Sequence, residues 1–141
     1  MKFPPIEKVY EAWTALADGR VAMHDGYALI PSSDRAKEYT VRFDGDRYSS
    51  DDNATYWQGY PGYPVIAVLM LQGRLPYDKA EAEKWKGINW KEINTRFRNK
   101  YSQAVEYVAD EKGIDMSVAR VAAEKVMEAL ETLDLTINRK I

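Results

Sequence analysis

The stretch that decides the fold is residues 39–75, which read YTVRFDGDRYSSDDNATYWQGYPGYPVIAVLMLQGRL. Apolar and polar side chains alternate over residues 39–43, a pattern typical of a half-buried strand. Asp44-Gly45 is a strong turn signal, and it predicts a further hairpin strand over residues 47–49. An aromatic loop then leads to Pro64, which opens a helix with apolar residues on most faces. A helix of this kind is expected to be buried.

The residues before this stretch predict a helix and a hairpin. Pro4-Pro5 opens an amphipathic pattern that ends at Gly19, and its apolar positions include Ile6, Val9, Trp13 and Leu16. Asp25-Gly26 separates two predicted strands, residues 20–24 and 27–31. The single histidine, His24, lies beside this turn and is expected to be an exposed residue at a strand end.

Residues 78–135 predict an all-helical C-terminal half. Asp78 with Glu81, and Asn89 with Glu92, each form a capping pair that marks a helix start. One regular apolar stripe runs from Trp90 to Val108, and a last helix is expected from about Asp115. The sequence therefore predicts a single α+β domain over residues 1–141. It would contain an N-terminal helix, an antiparallel sheet of three or four strands, a buried helix, and a C-terminal helical hairpin over the sheet.

Composition excludes several classes of site. The 141 residues contain no cysteine and one histidine, so disulfides and cysteine nucleophiles are excluded and a protein-only zinc site is not expected. Apolar runs are too short for a membrane span, and the N-terminus lacks the apolar core of a signal peptide. We therefore expect a cytoplasmic protein without a membrane partner.

Residues 39–75 resemble the SWIM zinc domain. That family has a tyrosine-containing strand, a turn, a Cys-x-Cys pair, an aromatic loop, and a Cys-x-His pair that runs directly into an apolar helix. The strand 39–43, the Tyr48-Ser49 lead-in, the loop at Tyr56-Trp57-Gln58-Gly59 and the helix over 65–69 match this pattern. The family's four ligand positions fall on Ser50, Asp52, Gly62 and Pro64, so no zinc and no other cofactor is implied. The alternative is an unrelated hairpin followed by a buried helix.

The resemblance implies a binding module, because SWIM domains are thought to bind protein or nucleic acid. Without zinc, packing of the loop aromatics must supply the stabilisation that a structural metal gives. We expect a non-catalytic protein that binds a protein partner through the surface formed by Tyr56, Trp57, Tyr60 and Tyr63.

A basic aromatic run over residues 84–101 gives the second hypothesis, nucleic-acid binding. Between positions 84 and 100 the chain carries six positive side chains and one negative. Trp85, if exposed, could stack on a base. The alternative is the solvated face of a helix whose core stripe contains Trp90, Phe97 and Tyr101. The candidate contacts are Lys84, Trp85, Lys86, Lys91, Arg96 and Arg98.

The third hypothesis is a metal-dependent enzyme that uses an acidic loop. Four carboxylates in residues 44–52 could hold a hard cation: Asp44, Asp46, Asp51 and Asp52. The spacing matches no calcium loop, and the chain has no serine-elbow, phosphate-loop or dinucleotide motif. The sequence therefore favours a protein that is not an enzyme.

Overall fold

The first four strands form an antiparallel meander, as the alternating pattern predicts. The computed structural model describes residues 1–140, and its five-stranded sheet has the order β1-β2-β3-β4-β5. The turns lie at the two Asp-Gly pairs, where His24 pairs with Tyr27 and Asp44 pairs with Arg47. The strands are β1 (Ala22–His24), β2 (Tyr27–Pro31), β3 (Glu38–Asp44), β4 (Arg47–Ser50) and β5 (Thr136–Ile137).

The fifth strand is a feature that the sequence pattern did not predict. β5 has only two residues and pairs in parallel with β4, with Arg47 opposite Thr136 and Tyr48 opposite Ile137. The backbone N–H groups of Thr136 and Asn138 donate to the carbonyl oxygens of Asp46 and Tyr48 at 2.9 and 2.8 Å. The sheet is therefore mixed, and the C-terminal segment is fixed beside β4.

Helix α2 lies at the centre of the molecule. It contacts β3 and β4 on one side and α1 on another, and its residues from Pro64 to Met70 are buried. The expectation of a buried helix is confirmed, but the helix begins at Tyr63, one residue before the predicted start at Pro64. The helices are α1 (Glu7–Ala17), α2 (Tyr63–Leu71), α3 (Lys79–Glu83), α4 (Trp90–Arg96), α5 (Tyr101–Lys112) and α6 (Met116–Thr132).

The long helix predicted from residue 90 to 108 is two helices, α4 and α5. Arg98 and Asn99 have φ angles of 54° and 61°, in the left-handed region where a helix cannot continue. Both α5 and α6 contact α1, so the C-terminal helices pack on the helical layer, whereas the sequence predicted a hairpin over the sheet. None of the helices within residues 1–140 is both long and apolar enough to cross a membrane.

An aromatic cluster joins α1 to the start of the helical half. The ring of Trp85 lies 4.7 Å from that of Tyr10 and 6.2 Å from that of Trp90, centroid to centroid. Thr14 Oγ1 donates to the carbonyl of Trp85 at 2.6 Å and accepts from Trp90 Nε1 at 2.8 Å. Trp85 is fully buried. Its predicted role as an exposed stacking residue is therefore wrong.

Candidate functional site

A single π-helical turn, Ala54–Gln58, carries the most prominent aromatic residues of the loop. The carbonyl of Asp52 accepts from Tyr56 N at 2.9 Å, and that of Thr55 accepts from Gly59 N at 3.1 Å. Gly59 closes the turn at φ 76°, a conformation that glycine adopts without strain.

A buried polar network holds this turn against the start of α2. Ser50 Oγ donates to Asp52 Oδ1, and Thr55 N donates to Asp52 Oδ2 at 3.0 Å. Gly62 N donates to Thr55 Oγ1 at 2.8 Å. A Cβ on Gly62 would lie 2.2 Å from Asp52 Oδ2, so only glycine fits at this position without displacing the carboxylate. Ser50, Asp52 and Gly62, three of the four positions that the predicted resemblance assigned to metal ligands, are thus neighbours in a hydrogen-bonded network.

The π-helical turn presents Tyr56 and Trp57 beside the C-terminal segment. Their rings pack edge to face with centroids 4.8 Å apart. The guanidinium carbon of Arg139 lies 5.2 Å from the Tyr56 ring and 5.4 Å from the Trp57 ring. Trp57 is 64% exposed, the highest value among the large apolar side chains that are exposed within residues 1–140. We call the surface formed by Tyr56, Trp57 and Arg139 the aromatic surface.

The other two aromatic residues predicted for this surface are less accessible. Tyr60 is buried, so its predicted place on the binding surface is wrong. Tyr63 begins α2, is half-buried and packs edge to face on Tyr39 at 6.3 Å. Burial raises the pKa of the Tyr63 hydroxyl well above its usual range. Both tyrosines lie in the segment where the chain passes from the loop into the buried helix α2.

A groove of about 270 Å³ lies beside the aromatic surface and is predominantly cationic. Three basic residues line it with a single carboxylate, Asp51, whose Oδ1 accepts from Thr40 N at 2.8 Å. The lining residues are Thr40, Arg42, Ser49, Ser50, Asp51, Arg139 and Lys140. This positive surface contrasts with the overall formal charge of −2.

Several charges of the basic run are neutralised by nearby carboxylates. Lys84 Nζ lies 2.6 Å from Glu81, Lys91 Nζ lies 3.4 Å from Asp34, and Arg96 lies 3.2 Å from Glu92. Arg96 also lies 5.1 Å from the centre of the Tyr107 ring. Lys86 and Arg98 are exposed, but Arg98 lies in the break between α4 and α5. The run is therefore no continuous cationic helix face.

The carboxylates of the acidic loop likewise have different partners. Asp46 forms an ion pair with Arg74 at 2.5 Å, whereas Asp52 belongs to the buried network. Asp44 is the last residue of β3. Within residues 1–140, no group of three or more His, Cys, Asp or Glu side chains is arranged to hold a metal ion. His24 is exposed and stacks on Tyr27 at 4.8 Å, as expected for a residue at a strand end.

Comparison with known proteins gives a family without a stated activity. One family model matches residues 1–136, and its description reads "Uncharacterised conserved protein UCP014422". The chain belongs to this family. No curated protein and no solved structure matches the chain. The matched region contains all six helices and the first residue of β5, so it includes the whole π-helical turn.

Sequence reasoning missed one member of the aromatic surface, Arg139. This residue is 82 positions from Trp57 in the chain and reaches the turn only because β5 pairs with β4. A two-residue strand has no alternation that could reveal it. No local signal could therefore have placed Arg139 beside Trp57.

Proposed function

We propose that this protein is a non-catalytic module that binds a protein partner through the aromatic surface. The observation that carries the proposal is a highly exposed Trp57 held by Tyr56 and Arg139 on a hydrogen-bonded turn. Tryptophan, tyrosine and arginine are the residue types that dominate binding hot spots in protein interfaces. Because the polar network fixes the turn beforehand, binding would order few additional side chains.

The groove beside the aromatic surface supports a partner segment with negative charge. Arg42, Arg139 and Lys140 are opposed there only by Asp51. A partner segment that presents one apolar side chain to Trp57 and carboxylates to the groove would complement both features. The proximity of Ser50, Asp52 and Gly62 supports the related proposal of a zinc-free SWIM-like module.

The runner-up, nucleic-acid binding, has weaker support. The buried Trp85 removes the stacking residue of the 84–101 run, and Lys84, Lys91 and Arg96 already have carboxylate partners. Single-stranded nucleic acids are usually bound by several stacking rings along a basic groove. In this protein one highly exposed ring, Trp57, adjoins the groove.

The test begins with affinity capture that compares the unaltered protein with Trp57→Ala and Arg139→Ala. A candidate partner is then purified and titrated against the same proteins by calorimetry. We expect Trp57→Ala to weaken binding by 2 kcal/mol or more, about 30-fold, as loss of a hot-spot residue does. Val121→Ala, which alters an exposed apolar residue on α6, serves as the matched control and should bind normally.

Two results would overturn the proposal. One is a partner that binds Trp57→Ala and Arg139→Ala as tightly as the unaltered protein. The other is binding of labelled single-stranded oligonucleotides that falls with added salt and disappears in Trp57→Ala, which would assign the surface to nucleic acid.

A further inference from the structure

A second cavity lies on another side of the π-helical turn, between the N-terminal helix and the break that separates α4 from α5. Its volume is about 210 Å³. Five separate parts of the chain form its walls: α1, the β2–β3 connection with β3, the residues around Asp52, Tyr63 at the start of α2, and the segment from Trp90 to Tyr101. We call this cavity the polar cleft.

Three charged side chains with little solvent exposure line the polar cleft. Lys8, Glu11 and Asp52 are 7%, 6% and 5% exposed. Lys8 Nζ lies 3.4 Å from Glu11 Oε2 and 4.3 Å from the centre of the Tyr101 ring. Buried ion pairs contribute little net stability, because desolvation offsets their attraction. A buried pair that lines a cavity is therefore a candidate for ligand recognition.

The electrostatics of the pair are consistent with a site that holds both a donor and an acceptor. Burial raises the pKa of Glu11, although the Lys8 ammonium opposes the rise. For Lys8, burial acts to lower the pKa, yet the Glu11 carboxylate leaves it raised overall. The cleft thus presents an ammonium donor and a carboxylate acceptor side by side.

The remaining lining residues are rich in neutral hydrogen-bonding groups. Amide side chains both donate and accept, and so do the hydroxyl groups of serine, threonine and tyrosine. The neutral polar residues are Ser32, Ser33, Tyr39, Asn53, Tyr63, Asn94, Thr95, Asn99 and Tyr101. Asn99, at φ 61°, holds a backbone conformation that is uncommon for a residue other than glycine.

We propose that the polar cleft binds a neutral polyhydroxylated molecule of the size of one sugar ring. An anion would meet the carboxylates of Glu11 and Asp52, and a cation would meet the ammonium groups of Lys8, Lys37 and Lys91. An apolar ligand would leave the neutral hydrogen-bonding side chains of the lining without partners. Hydroxyl groups satisfy donors and acceptors alike. A cavity of about 150 Å³ holds benzene, so a cleft of the observed volume suits a ring with several substituents.

This inference is independent of the proposed function. The aromatic surface and the polar cleft use different side chains, although residues 52–54 at the base of the π-helical turn line the cleft. Trp57→Ala should therefore leave ligand binding in the cleft unchanged. A failure of either proposal can be recognised without the other.

The experiment is a two-dimensional ¹H–¹⁵N NMR titration with glucose, galactose, mannose, N-acetylglucosamine and myo-inositol at millimolar concentrations. Glycine and inorganic phosphate are the zwitterionic and anionic probes. At least one sugar or inositol should shift the amide signals of Asn53, Asn94 and Tyr101. Asn94→Ala should weaken that binding about fivefold, as loss of one neutral hydrogen bond does.

One variant outside the cleft serves as the control, and three results would overturn the proposal. Gln103→Ala, on the exposed face of α5 outside the cleft, should bind like the unaltered protein. A folded Asn94→Ala variant that binds with unchanged affinity would overturn the proposal, as would saturating shifts with glycine or phosphate alone. No shift with any of the five polyols would also overturn it.

Discussion

At the scale of single residues, two tryptophans that the sequence predicted as binding residues have opposite surroundings. Trp57 is highly exposed, whereas Trp85 is fully buried among Tyr10, Trp13 and Trp90. Trp85→Ala should lower the free energy of unfolding by about 3–5 kcal/mol, the range for removing a large aromatic side chain from a core. Trp57→Ala removes only contacts with Tyr56 and Arg139 at the surface and should lower it by about 1 kcal/mol or less. Urea unfolding followed by circular dichroism measures both, and a large loss for Trp57→Ala would give that residue a structural role.

Gly62 is required because the space beside its Cα is already filled by a neighbouring side chain. Its φ of −75° suits any amino acid, but an added Cβ would lie 2.2 Å from Asp52 Oδ2. Gly62→Ala should therefore displace the Asp52 carboxylate and lower the free energy of unfolding by about 1–3 kcal/mol, as overpacking does. Urea denaturation measures the change.

The matched control for this prediction is a double-mutant cycle with Asp52→Ala. Once the carboxylate is absent, Gly62→Ala should cost much less than it does in the unaltered protein. Additive effects in the double variant would show that the clash with Asp52 is not the cause.

At the scale of elements, Asp34 connects the turn between β2 and β3 to helix α4. Hydrogen bonds from Ala36 N and Ser32 Oγ, at 3.0 and 2.7 Å, and the nearby Lys91 lower the pKa of Asp34 from 3.8 to about 2. Because the folded pKa is the lower one, this stabilisation is present above pH 3.8 and is lost as the pH falls towards about 2. Asp34→Asn should weaken the acid dependence of the urea midpoint in that window.

Comparison with Lys91→Gln separates the causes of the Asp34 shift. The hydrogen bond from Ala36 is the largest cause and the Lys91 charge is the smallest, so Lys91→Gln should preserve most of the acid dependence. An NMR titration of the Asp34 carboxyl carbon gives the pKa directly. An ordinary pKa in the unaltered protein would contradict the prediction.

Elements with a strong local signal were predictable, and those that depend on distant contacts were not. Alternation and two Asp-Gly turns fixed β2, β3 and β4, and Asp115 caps α6 as expected. No glycine in the sequence signals the break after α4, because Arg98 and Asn99 themselves adopt positive φ. β5 exists only through its pairing with β4. Each missed element thus depends on tertiary structure more than on local pattern.

At the scale of the whole molecule, both candidate sites combine segments that are far apart in the chain. The aromatic surface needs the C-terminal Arg139 beside the π-helical turn, and the polar cleft needs α1 beside Asn94 and Tyr101. The sequence identified Tyr56 and Trp57 because they cluster locally. In the sequence, Lys8 and Glu11 have the pattern of exposed charges on the polar face of a helix, but in the structure both are buried. Only the assembled core therefore reveals the cleft.

The same assembled core leads us to expect a fold that is independent of metal. Asp52 accepts hydrogen bonds at both carboxylate oxygens, Ser50 donates to it, and α2 is buried between the sheet and α1. Removing trace metal with a chelator should therefore leave the urea midpoint unchanged, and elemental analysis should find no stoichiometric zinc. In small zinc domains the metal contributes on the order of 10 kcal/mol to folding, so its removal unfolds them. A fall in the midpoint with chelator, reversed by added zinc, would show that the resemblance to SWIM domains extends to the metal.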